Sequence, residues 1–245
     1  VQVPEATRAL GWLAHRHLAA LRGKGHGKRP VCIGITGSAG KTTTKDILAS
    51  LLQLKGQVIA PEKSYNNEVG VPLTILRADD TTDFLVLEMG ASGPGHLALL
   101  TEIAPLDMAI ELMVGHAHLG GFGSVEGLAQ AKAELLWGLR NYQGKRYWPL
   151  STPAQQARLV FEQDGYPKDP PVGDTPPSLA ILNCGDEKVR QMASGAQIRY
   201  FGELKPERTG RETEAKGVYA SQVTVGGDGR PTFWMTRGTE TLKVK

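Results

Sequence analysis

Short apolar runs alternate with amphipathic stretches along most of the chain. The apolar runs predict strands at 31–36, 57–60, 84–89, 109–114, 179–183 and 197–201. The amphipathic stretches predict helices at 5–22, from 41 to a cap at Gly56, and at about 68–78, 94–103, 125–139 and 186–194. This alternation favours an α/β fold, in which a mostly parallel sheet is flanked by helices.

Two regions depart from the alternation. Residues 141–178 are polar and rich in proline, and they are longer than an ordinary connection, so we interpret them as an insertion at the surface. Residues 217–245 alternate apolar and polar positions around GGDG and RGTE turns. That pattern predicts a small antiparallel sheet, appended at the C-terminal end of the domain.

Composition narrows the class of protein. The 245 residues, of which 40% are hydrophobic and 22% charged, suit one α/β domain with small appendages. A net charge of +3 is too small to argue for a nucleic-acid partner. No apolar run approaches the roughly 18 residues of a membrane span. The two cysteines have neither metal-type spacing nor the number for a disulfide framework, so we expect a cytoplasmic protein.

The segment CIGITGSAGKTTTKD, from Cys32 to Asp46, has the composition of a phosphate-binding loop. Gly37 and Gly40 would let backbone N–H groups converge on phosphate oxygens, Lys41 would add charge, and Thr42 could bind magnesium. The common spacing G-x-x-x-x-G-K-[ST] fails, because Ile35 stands where its first glycine belongs. The loop still lies between a predicted strand and a predicted helix, which favours a P-loop-type nucleotide site with a variant loop.

Polar residues follow other predicted strands. Glu88 ends the run FLVLEMG, where it is either a metal ligand or a solvated carboxylate. His116 and His118 follow the strand at 109–114; they share one side if the backbone stays extended, and the alternative is that both are structural. Lys132, in AQAKAELL, has the alternative of being a surface lysine, which spacing alone does not reject. The segment SYNNEVGVP is either a capping turn or a polar binding loop.

Taken together, these segments resemble the Mur ligases, the ATP-dependent amide-forming family of peptidoglycan assembly. TGSAGKTTT has that family's glycine spacing, and SYNNEVGVPLT, LVLEMGAS, VGHAHLGGFGSVEGLAQAKAEL and LAILNCGDE follow in the family's order. The resemblance covers roughly residues 1–140 and 179–245. The SYNNE and HAHLGGFGS segments most resemble the branch that adds D-alanyl-D-alanine to a UDP-linked muramoyl tripeptide.

The resemblance implies a site built around ATP and Mg²⁺. The residues implied at the nucleotide phosphates are Gly37, Ser38, Ala39, Gly40, Lys41, Thr42, Thr43 and Asn67. Magnesium would be held by Thr42, Glu88, His118 and Lys132, with Lys132 as the family's carbamylated lysine. Asn183 and Asp186 would approach the adenine, and Ser64, Tyr65 and Asn66 would lie on the side of the UDP-linked peptide.

The implied reaction has two steps, with Lys41, Glu88, His118 and Lys132 as the catalytic residues. The terminal carboxylate of UDP-N-acetylmuramoyl-tripeptide takes the γ-phosphate of ATP to give an acyl phosphate and ADP. The amine of D-alanyl-D-alanine then displaces phosphate. No protein nucleophile is needed, so the lack of a Ser-His-Asp pattern in the sequence carries no weight.

Three features of the sequence depart from the family pattern. Met113 stands where the family usually has asparagine, and Asn183-Cys184-Gly185-Asp186 replaces the usual Asn-Ala-Asp-Asp segment near the adenine. Glu111 is an acid on a strand that should be buried, so it needs a partner or a changed strand face.

The family's three-domain organisation implies how this chain divides. We expect residues 1–29 to be the tail of an N-terminal domain with a linker helix, and residues 30–245 to be the central ATPase domain. The N-terminal substrate domain and the C-terminal domain would be missing, and the chain alone would be a poor ligase.

Two other functions stay open at this point. One is another Mur-type amide ligase with a different substrate. The other is a non-catalytic P-loop module, which would keep Lys41 but need neither Glu88 nor Lys132. A kinase or GTPase is disfavoured, because the sequence has no N-K-x-D segment for guanine.

Overall fold

A computed structural model describes residues 5–23, 29–115, 121–139, 178–192, 197–203, 217–227 and 231–244 of the chain. The helices in these ranges are α1 (Ala6–Gly23), α2 (Lys41–Leu52), α3 (Gly70–Ile75), α4 (His96–Ile103), α5 (Val125–Trp137) and α6 (Glu187–Gln191). The strands are β1 (Val31–Thr36), β2 (Gln57–Ile59), β3 (Thr82–Glu88), β4 (Met108–Glu111), β5 (Leu179–Asn183), β6 (Gln197–Glu203), β7 (Gly217–Val225), β8 (Pro231–Arg237) and β9 (Glu240–Val244).

The described strands form one sheet in the order β2-β3-β1-β4-β5-β6-β7-β8-β9. All pairs from β2 to β7 are parallel, and β7, β8 and β9 pair antiparallel. β1 lies between β3 and β4, and its register sets Ile35 opposite Glu88 and Thr36 opposite Glu111. Because the C-terminal ends of parallel strands lie at the same end of the sheet, the loops after β1, β3 and β4 meet there.

Alternate side chains of the strands build two apolar layers. One layer joins Ile33, Ile35, Val86, Ile110 and Leu112 to Leu48 and Leu52 of α2. The other layer joins Cys32, Leu85, Leu87, Ala109 and Leu182 to buried residues of α1, α3, α4 and α5. Strands buried on both faces explain why the sequence shows continuous apolar runs here rather than strict alternation.

Helix α1 is part of the packed domain. Its Ala14 and Leu18 are 0% and 1% exposed and belong to the larger apolar layer. Near its C-terminal end, Arg22 donates to Asp107 Oδ2 at 2.9 Å, and the backbone N–H of Cys32 donates to the same oxygen at 2.9 Å. Arg29 also pairs with Asp107. These charged and apolar contacts therefore hold α1 in place, with Arg22 at the end of the sheet opposite the phosphate loop.

The fold class predicted from the sequence is confirmed, with one difference at the C-terminal end. The antiparallel strands do not form a separate sheet, because β7 pairs parallel with β6 and so continues the main sheet. Of the predicted insertion, residues 141–177 lie outside the described residues. The predicted boundary near residue 29 stays a prediction. Among the described helices, none has the length and apolarity that crossing a membrane requires.

Candidate functional site

The loop between β1 and α2 uses its two glycines for different reasons. Gly37 has a φ of 154°, and a Cβ built there would lie 2.8 Å from Leu112 Cβ and 3.2 Å from the Met113 nitrogen. Gly40 precedes α2 with a left-handed φ of 83°. Glycine at 37 thus lets the loop pass close to the end of β4, and glycine at 40 lets it turn into the helix.

The loop is also fastened to the segment that follows β4. The Ser38 backbone N–H donates to the Met113 carbonyl at 2.9 Å, and the Gly115 N–H donates to Ser38 Oγ at 2.9 Å. The departure at Met113 leaves this contact intact, because only its backbone takes part. Ala39, Gly40 and Thr43 form the exposed rim of the loop.

Lys41 folds back over the loop. Its Nζ donates to the Gly37 carbonyl at 2.8 Å, and the side chain lines a neighbouring pocket. Gly37, Ser38 and Lys41 therefore present a backbone turn, a hydroxyl and an ammonium group at one helix N-terminus, which is the arrangement that binds phosphate.

Glu88 is buried and bonded on both carboxylate oxygens. It is 1% exposed; Thr42 Oγ1 donates to its Oε2 at 2.8 Å, and Asn66 Nδ2 donates to its Oε1 at 2.7 Å. Ser64 Oγ lies 3.0 Å from Thr42 Oγ1. The alternative of a solvated strand-end carboxylate is therefore wrong. A carboxylate beside a hydroxyl at the loop fits Mg²⁺, which prefers oxygen ligands of this kind.

A pocket of about 420 Å³ opens beside the loop. Its walls come from the phosphate loop, the polar loop before α3, the turn after β3, and helices α4 and α5. The lining residues with polar side chains are Ser38, Lys41, Asn66, Asn67, Glu68, Ser92, His96 and Lys132. The volume is in the range of a small-molecule site, and the wall is rich in donors.

Lys132 is buried in this wall. It is 4% exposed, so the alternative of a surface lysine is wrong. Burial lowers the pKa of Lys132, and the positive charge of Lys41 acts in the same direction, while Glu111 opposes both. A lowered pKa enlarges the fraction of neutral amine, which is the form that adds carbon dioxide. The lysine thus fits a carbamate.

Glu111 is the unexpected acid on β4, and it is 0% exposed. Neither of its carboxylate oxygens has a hydrogen-bond partner within the described residues, and the same holds for the hydroxyl of Thr36 opposite it. Burial raises the pKa of Glu111 to about 8; the negative charge of Asp186 acts in the same direction, while Lys132 and Lys41 oppose the rise. Within the described residues no hydrogen-bond partner meets the need inferred from the sequence, and the raised pKa instead keeps the carboxyl group largely uncharged at neutral pH.

Helix α5 also holds α4 in place. Glu134, two residues after Lys132, accepts from the backbone N–H of Gly95 at 2.6 Å and of Ala98 at 3.1 Å. Burial raises the pKa of Glu134 to about 7 even though these amides favour the charged form. The carboxyl group thus satisfies the N-terminal amides of a neighbouring helix.

The polar loop before α3 serves more than one purpose. Asn67 Oδ1 accepts from the N–H of Gly70 at 2.9 Å and of Val69 at 3.3 Å, so the capping alternative holds for Asn67. Asn66 instead reaches Glu88, as described above. Ser64 and Tyr65 are exposed, with Ser64 close to Thr42. A role towards the UDP-linked peptide stays a prediction.

Asn183 and Asp186 are engaged with backbone at the ends of β4 and β5. Asn183 Nδ2 donates to the Leu112 carbonyl at 2.8 Å. Asp186 Oδ2 accepts from the Val114 N–H at 2.8 Å, and its Oδ1 accepts from the N–H groups of Lys188 and Val189 at the start of α6. Both side chains fix this edge of the sheet, and their approach to adenine stays a prediction.

His116 and His118 lie outside the described residues, so the predicted histidine ligand has no structural account here. One polar group in the pocket wall was missed by the sequence reasoning: Glu68, Ser92 and His96 are joined by hydrogen bonds. Glu68 and Ser92 lie in the SYNNEVGVP and LVLEMGAS segments. Their separation along the chain gave no signal that they meet.

Comparison with known proteins shows which family this site resembles. Residues 35–148 match the family model described as the Mur ligase middle domain. Over 103 residues the chain is 56% identical to the UDP-N-acetylmuramoyl-tripeptide–D-alanyl-D-alanine ligase of Mycobacterium leprae, a match that spans 42% of this chain and 20% of that protein. The Bacillus subtilis ligase of the same name is 39% identical over 140 residues, or 57% of this chain and 29% of that protein.

Solved structures are similar over the whole chain. MurF ligase from Thermotoga maritima, solved in complex with ADP, has a TM-score of 0.72 and 26% identity, covering 100% of this chain and 45% of that one. MurF from Acinetobacter baumannii, with a TM-score of 0.71, 23% identity, and coverage of 100% and 43%, supports the fold. The chain thus spans less than half the length of these relatives. Over residues 35–148 the chain is therefore similar to the middle domain of the Mur ligases.

Proposed function

We propose that this chain is the ATP-binding middle domain of a MurF-type ligase, which joins D-alanyl-D-alanine to UDP-N-acetylmuramoyl-tripeptide. The observation that carries the proposal is the juxtaposition of the phosphate loop with Glu88 and Lys132. Thr42 donates to Glu88 at 2.8 Å, while Lys41 and Lys132 line one pocket of about 420 Å³. Phosphoryl transfer to a carboxylate needs such a concentration of positive charge and oxygen ligands around the transferred group.

The residues of the site have different roles in the first step, the transfer of the γ-phosphate to the peptide carboxylate. The loop amides and Lys41 hold the nucleotide phosphates and offset charge that develops on the γ-phosphate, while the peptide carboxylate attacks it. Thr42 and Glu88 are the residues that would hold Mg²⁺, with His118 as a further predicted ligand. A bound Mg²⁺ would neutralise phosphate charge and orient the transferred group. The products are an acyl phosphate and ADP.

The proposal also includes a chemical modification of Lys132. We propose that its buried amine is carbamylated and that the carbamate supports a metal ion. The pKa of Lys132 is lowered by burial, which favours the neutral amine that reacts with carbon dioxide. A ¹³C NMR spectrum of the chain in ¹³C-bicarbonate should show a slowly exchanging carbamate signal that disappears in Lys132→Ala. A spectrum without that signal would contradict the carbamate but leave nucleotide binding untouched.

The division of labour between domains is part of the same proposal. We propose that residues 30–245 act as the central ATPase domain, that residues 1–29 form the tail of an N-terminal domain with its linker helix, and that the 245-residue chain alone is a poor ligase. Cytoplasmic location stays a prediction. Efficient ligation by the isolated chain would contradict the proposed dependence on further domains.

The ligase function is tested with substrates. The complete ligase, in which this chain is joined to its substrate-delivering domains, is given Mg-ATP, UDP-N-acetylmuramoyl-tripeptide and a panel of amines, and products are identified by mass spectrometry. We expect the D-alanyl-D-alanine adduct, with formation lost in Lys41→Ala and retained in Lys55→Ala, an exposed lysine beyond the C-terminal end of α2. Ligation of a different amine in preference would favour another Mur-type amide ligase.

The non-catalytic alternative is tested by binding. A P-loop module needs the loop but has no use for a buried Glu88 or Lys132. We therefore expect Glu88→Ala and Lys132→Ala to weaken magnesium-dependent ATP binding, because both remove a group that is proposed to hold the metal ion. ATP binding that survives both substitutions unchanged would favour the module.

A further inference from the structure

Three side chains in the wall of the pocket form a continuous chain of hydrogen bonds. Ser92 Oγ lies 2.7 Å from His96 Nδ1, and His96 Nε2 lies 2.9 Å from Glu68 Oε2. Ser92 belongs to the turn after β3, His96 begins α4, and Glu68 comes from the polar loop before α3. Residues from three segments of the chain are thus linked by consecutive hydrogen bonds.

The hydrogen bonds also fix where the protons are. The Ser92 backbone N–H donates to His96 Nδ1 at 3.2 Å, so that nitrogen must carry the lone pair. The Ser92 hydroxyl then donates to the same nitrogen, and the proton on Nε2 is donated to Glu68. A hydrogen bond from its own backbone amide, together with the bond from His96, holds the pKa of Glu68 below its usual range. Glu68 is therefore an anion placed to stabilise an imidazolium once Nδ1 accepts a proton.

The chain of bonds opens into the pocket that Lys41 and Lys132 line. Ser92 is exposed at the pocket, His96 is half-buried behind it, and all three residues belong to the pocket wall. Among the described lining residues, the titratable side chains are Lys41, Glu68, His96 and Lys132. Of these, the His96 imidazole is the one joined by a hydrogen bond to the exposed Ser92 hydroxyl.

We propose that Ser92, His96 and Glu68 form a proton relay that accepts the proton of the attacking amine in the second step of ligation. This inference rests on the proposed function, because it requires an amine nucleophile and an acyl phosphate in the same pocket. An α-amino group is mostly protonated at neutral pH and cannot attack until it loses that proton.

The relay accounts for each proton and bond in the amide-forming step. The ammonium group gives one proton to Ser92 Oγ, and Ser92 passes its own proton to His96 Nδ1, leaving an imidazolium that is paired with Glu68. The nitrogen lone pair forms the C–N bond to the acyl carbon, and the C–O bond to the phosphoryl group breaks. The second amine proton leaves with the phosphate as hydrogen phosphate. The imidazolium then returns its proton to solvent through Ser92.

Hydroxylamine separates this role from a structural one. It is uncharged at neutral pH and attacks acyl phosphates without needing a base, so it reports acyl phosphate formation as a hydroxamate. The assay uses the complete ligase with Mg-ATP and UDP-N-acetylmuramoyl-tripeptide, and it compares D-alanyl-D-alanine with hydroxylamine as the nucleophile. Ser92→Ala, His96→Gln and Glu68→Gln are compared with Ser50→Ala, an exposed serine on α2.

For the relay, Ser92→Ala and His96→Gln should lower amide formation by about 10²- to 10⁴-fold. Hydroxamate formation should change only a few-fold, Glu68→Gln should have a smaller effect of the same kind, and Ser50→Ala should resemble the parent. Equal loss of both products would overturn the relay in favour of a structural role, and equal retention of both would overturn it outright. If the parent enzyme forms neither product, the proposed function itself fails.

Discussion

Gly37 is the first glycine of the loop, which has Ile35 where the common phosphate-loop spacing has glycine, and the surroundings of Gly37 predict a specific cost of substitution. A Cβ at 37 would meet Leu112 Cβ at 2.8 Å, whereas a Cβ at Gly40 would meet Leu112 Cδ1 at 3.5 Å. Gly123 has a positive φ of 74° and open space around it. Alanine substitutions at these three glycines can therefore distinguish the cost of steric clash from the cost of backbone strain.

We expect Gly37→Ala to abolish ATP binding and to lower the free energy of unfolding more than the other two substitutions do. Gly123→Ala should cost about 1–2 kcal/mol through strain alone. Gly40→Ala should cost a similar amount and weaken ATP binding by misplacing the start of α2. Urea denaturation and ATP titration of the three variants check this order, and equal effects at 37 and 123 would contradict it.

Glu111 predicts a dependence of stability on pH. Its pKa is about 8 in the folded chain and near the ordinary 4.5 in the unfolded chain, so between these values the folded state binds more protons. The free energy of unfolding should therefore fall as pH rises from about 4.5 to about 8. Glu111→Gln removes the titrating group, so its stability should fall less steeply over this range.

Urea denaturation of the parent and Glu111→Gln between pH 5 and pH 8.5 measures the two slopes. Glu62→Gln, at a highly exposed position, is the matched control and should follow the parent. Parallel curves for the parent and Glu111→Gln would show that the buried carboxyl group does not titrate as described.

At the residue scale, prediction from the sequence worked best where a residue type is required by few local structures. The glycines and the lysine of the loop predicted a phosphate site because few other local structures need them in that order. It could not decide between a buried and an exposed Lys132, because a lysine on an amphipathic helix has the same spacing in both cases. Nor could it connect Glu68 with His96, which lie 28 residues apart and meet only through the fold.

Between elements, the contact of α5 with α4 depends on Glu134. This carboxyl group accepts from two buried backbone amides at the start of α4, and Glu134 itself is 2% exposed. Glu134→Ala leaves those amides without an acceptor, so we expect it to lower the free energy of unfolding by about 2–4 kcal/mol. Because α4 carries His96, the pocket should be disturbed as well.

Chemical denaturation compares Glu134→Ala with Glu126→Ala on the same helix. Glu126 is exposed and pairs with Lys188 at the surface, so its loss should have a much smaller effect. Amide hydrogen exchange should also speed up at the start of α4 in Glu134→Ala alone. Similar stabilities for the two variants would contradict the capping role.

Element types were predicted well, and their ends less well, for identifiable reasons. The strand predicted at 109–114 leaves the ladder after Glu111, because the Met113 carbonyl and the Val114 N–H bond to Ser38 and Asp186 instead. The helix predicted at 68–78 begins only at Gly70, whose N–H donates to Asn67 Oδ1 in the preceding loop. In both cases a polar contact from a distant or flanking residue overrides the apolar pattern.

Across the whole molecule, α1 contributes to the stability of the domain. It buries Ala14 and Leu18 in the main apolar layer, and it places Arg22 against Asp107. Removal of residues 1–29 would expose that layer and leave Asp107 without two cationic partners. We expect the shortened chain to lose several degrees of melting temperature or to unfold without cooperativity.

Thermal unfolding followed by circular dichroism compares residues 30–245 with the full chain. Asp107→Asn in the full chain is the companion variant, and it should lower the melting temperature while keeping α1 folded. An unchanged transition after removal of residues 1–29 would show that the domain is independent of α1.

The arrangement of the sheet also shows where whole-molecule prediction stops. Alternating residues predicted antiparallel strands after 217, and β7, β8 and β9 form as such. Which edge they join was not predictable, because the apolar pattern of a strand does not specify its neighbour. The parallel pairing of β6 with β7 decides it, and it turns a predicted appendage into the end of one sheet.

The proposed function depends above all on the loop at 37–42 binding ATP, with magnesium at Thr42 and Glu88. Calorimetric titration of the 245-residue chain with ATP, in Mg²⁺ and in EDTA, tests it most directly. We expect saturable binding of one ATP in Mg²⁺, much weaker binding in EDTA, loss of binding in Lys41→Ala, and binding like the parent in Lys55→Ala. Equal affinity with and without Mg²⁺, or equal affinity in the two lysine variants, would contradict the account.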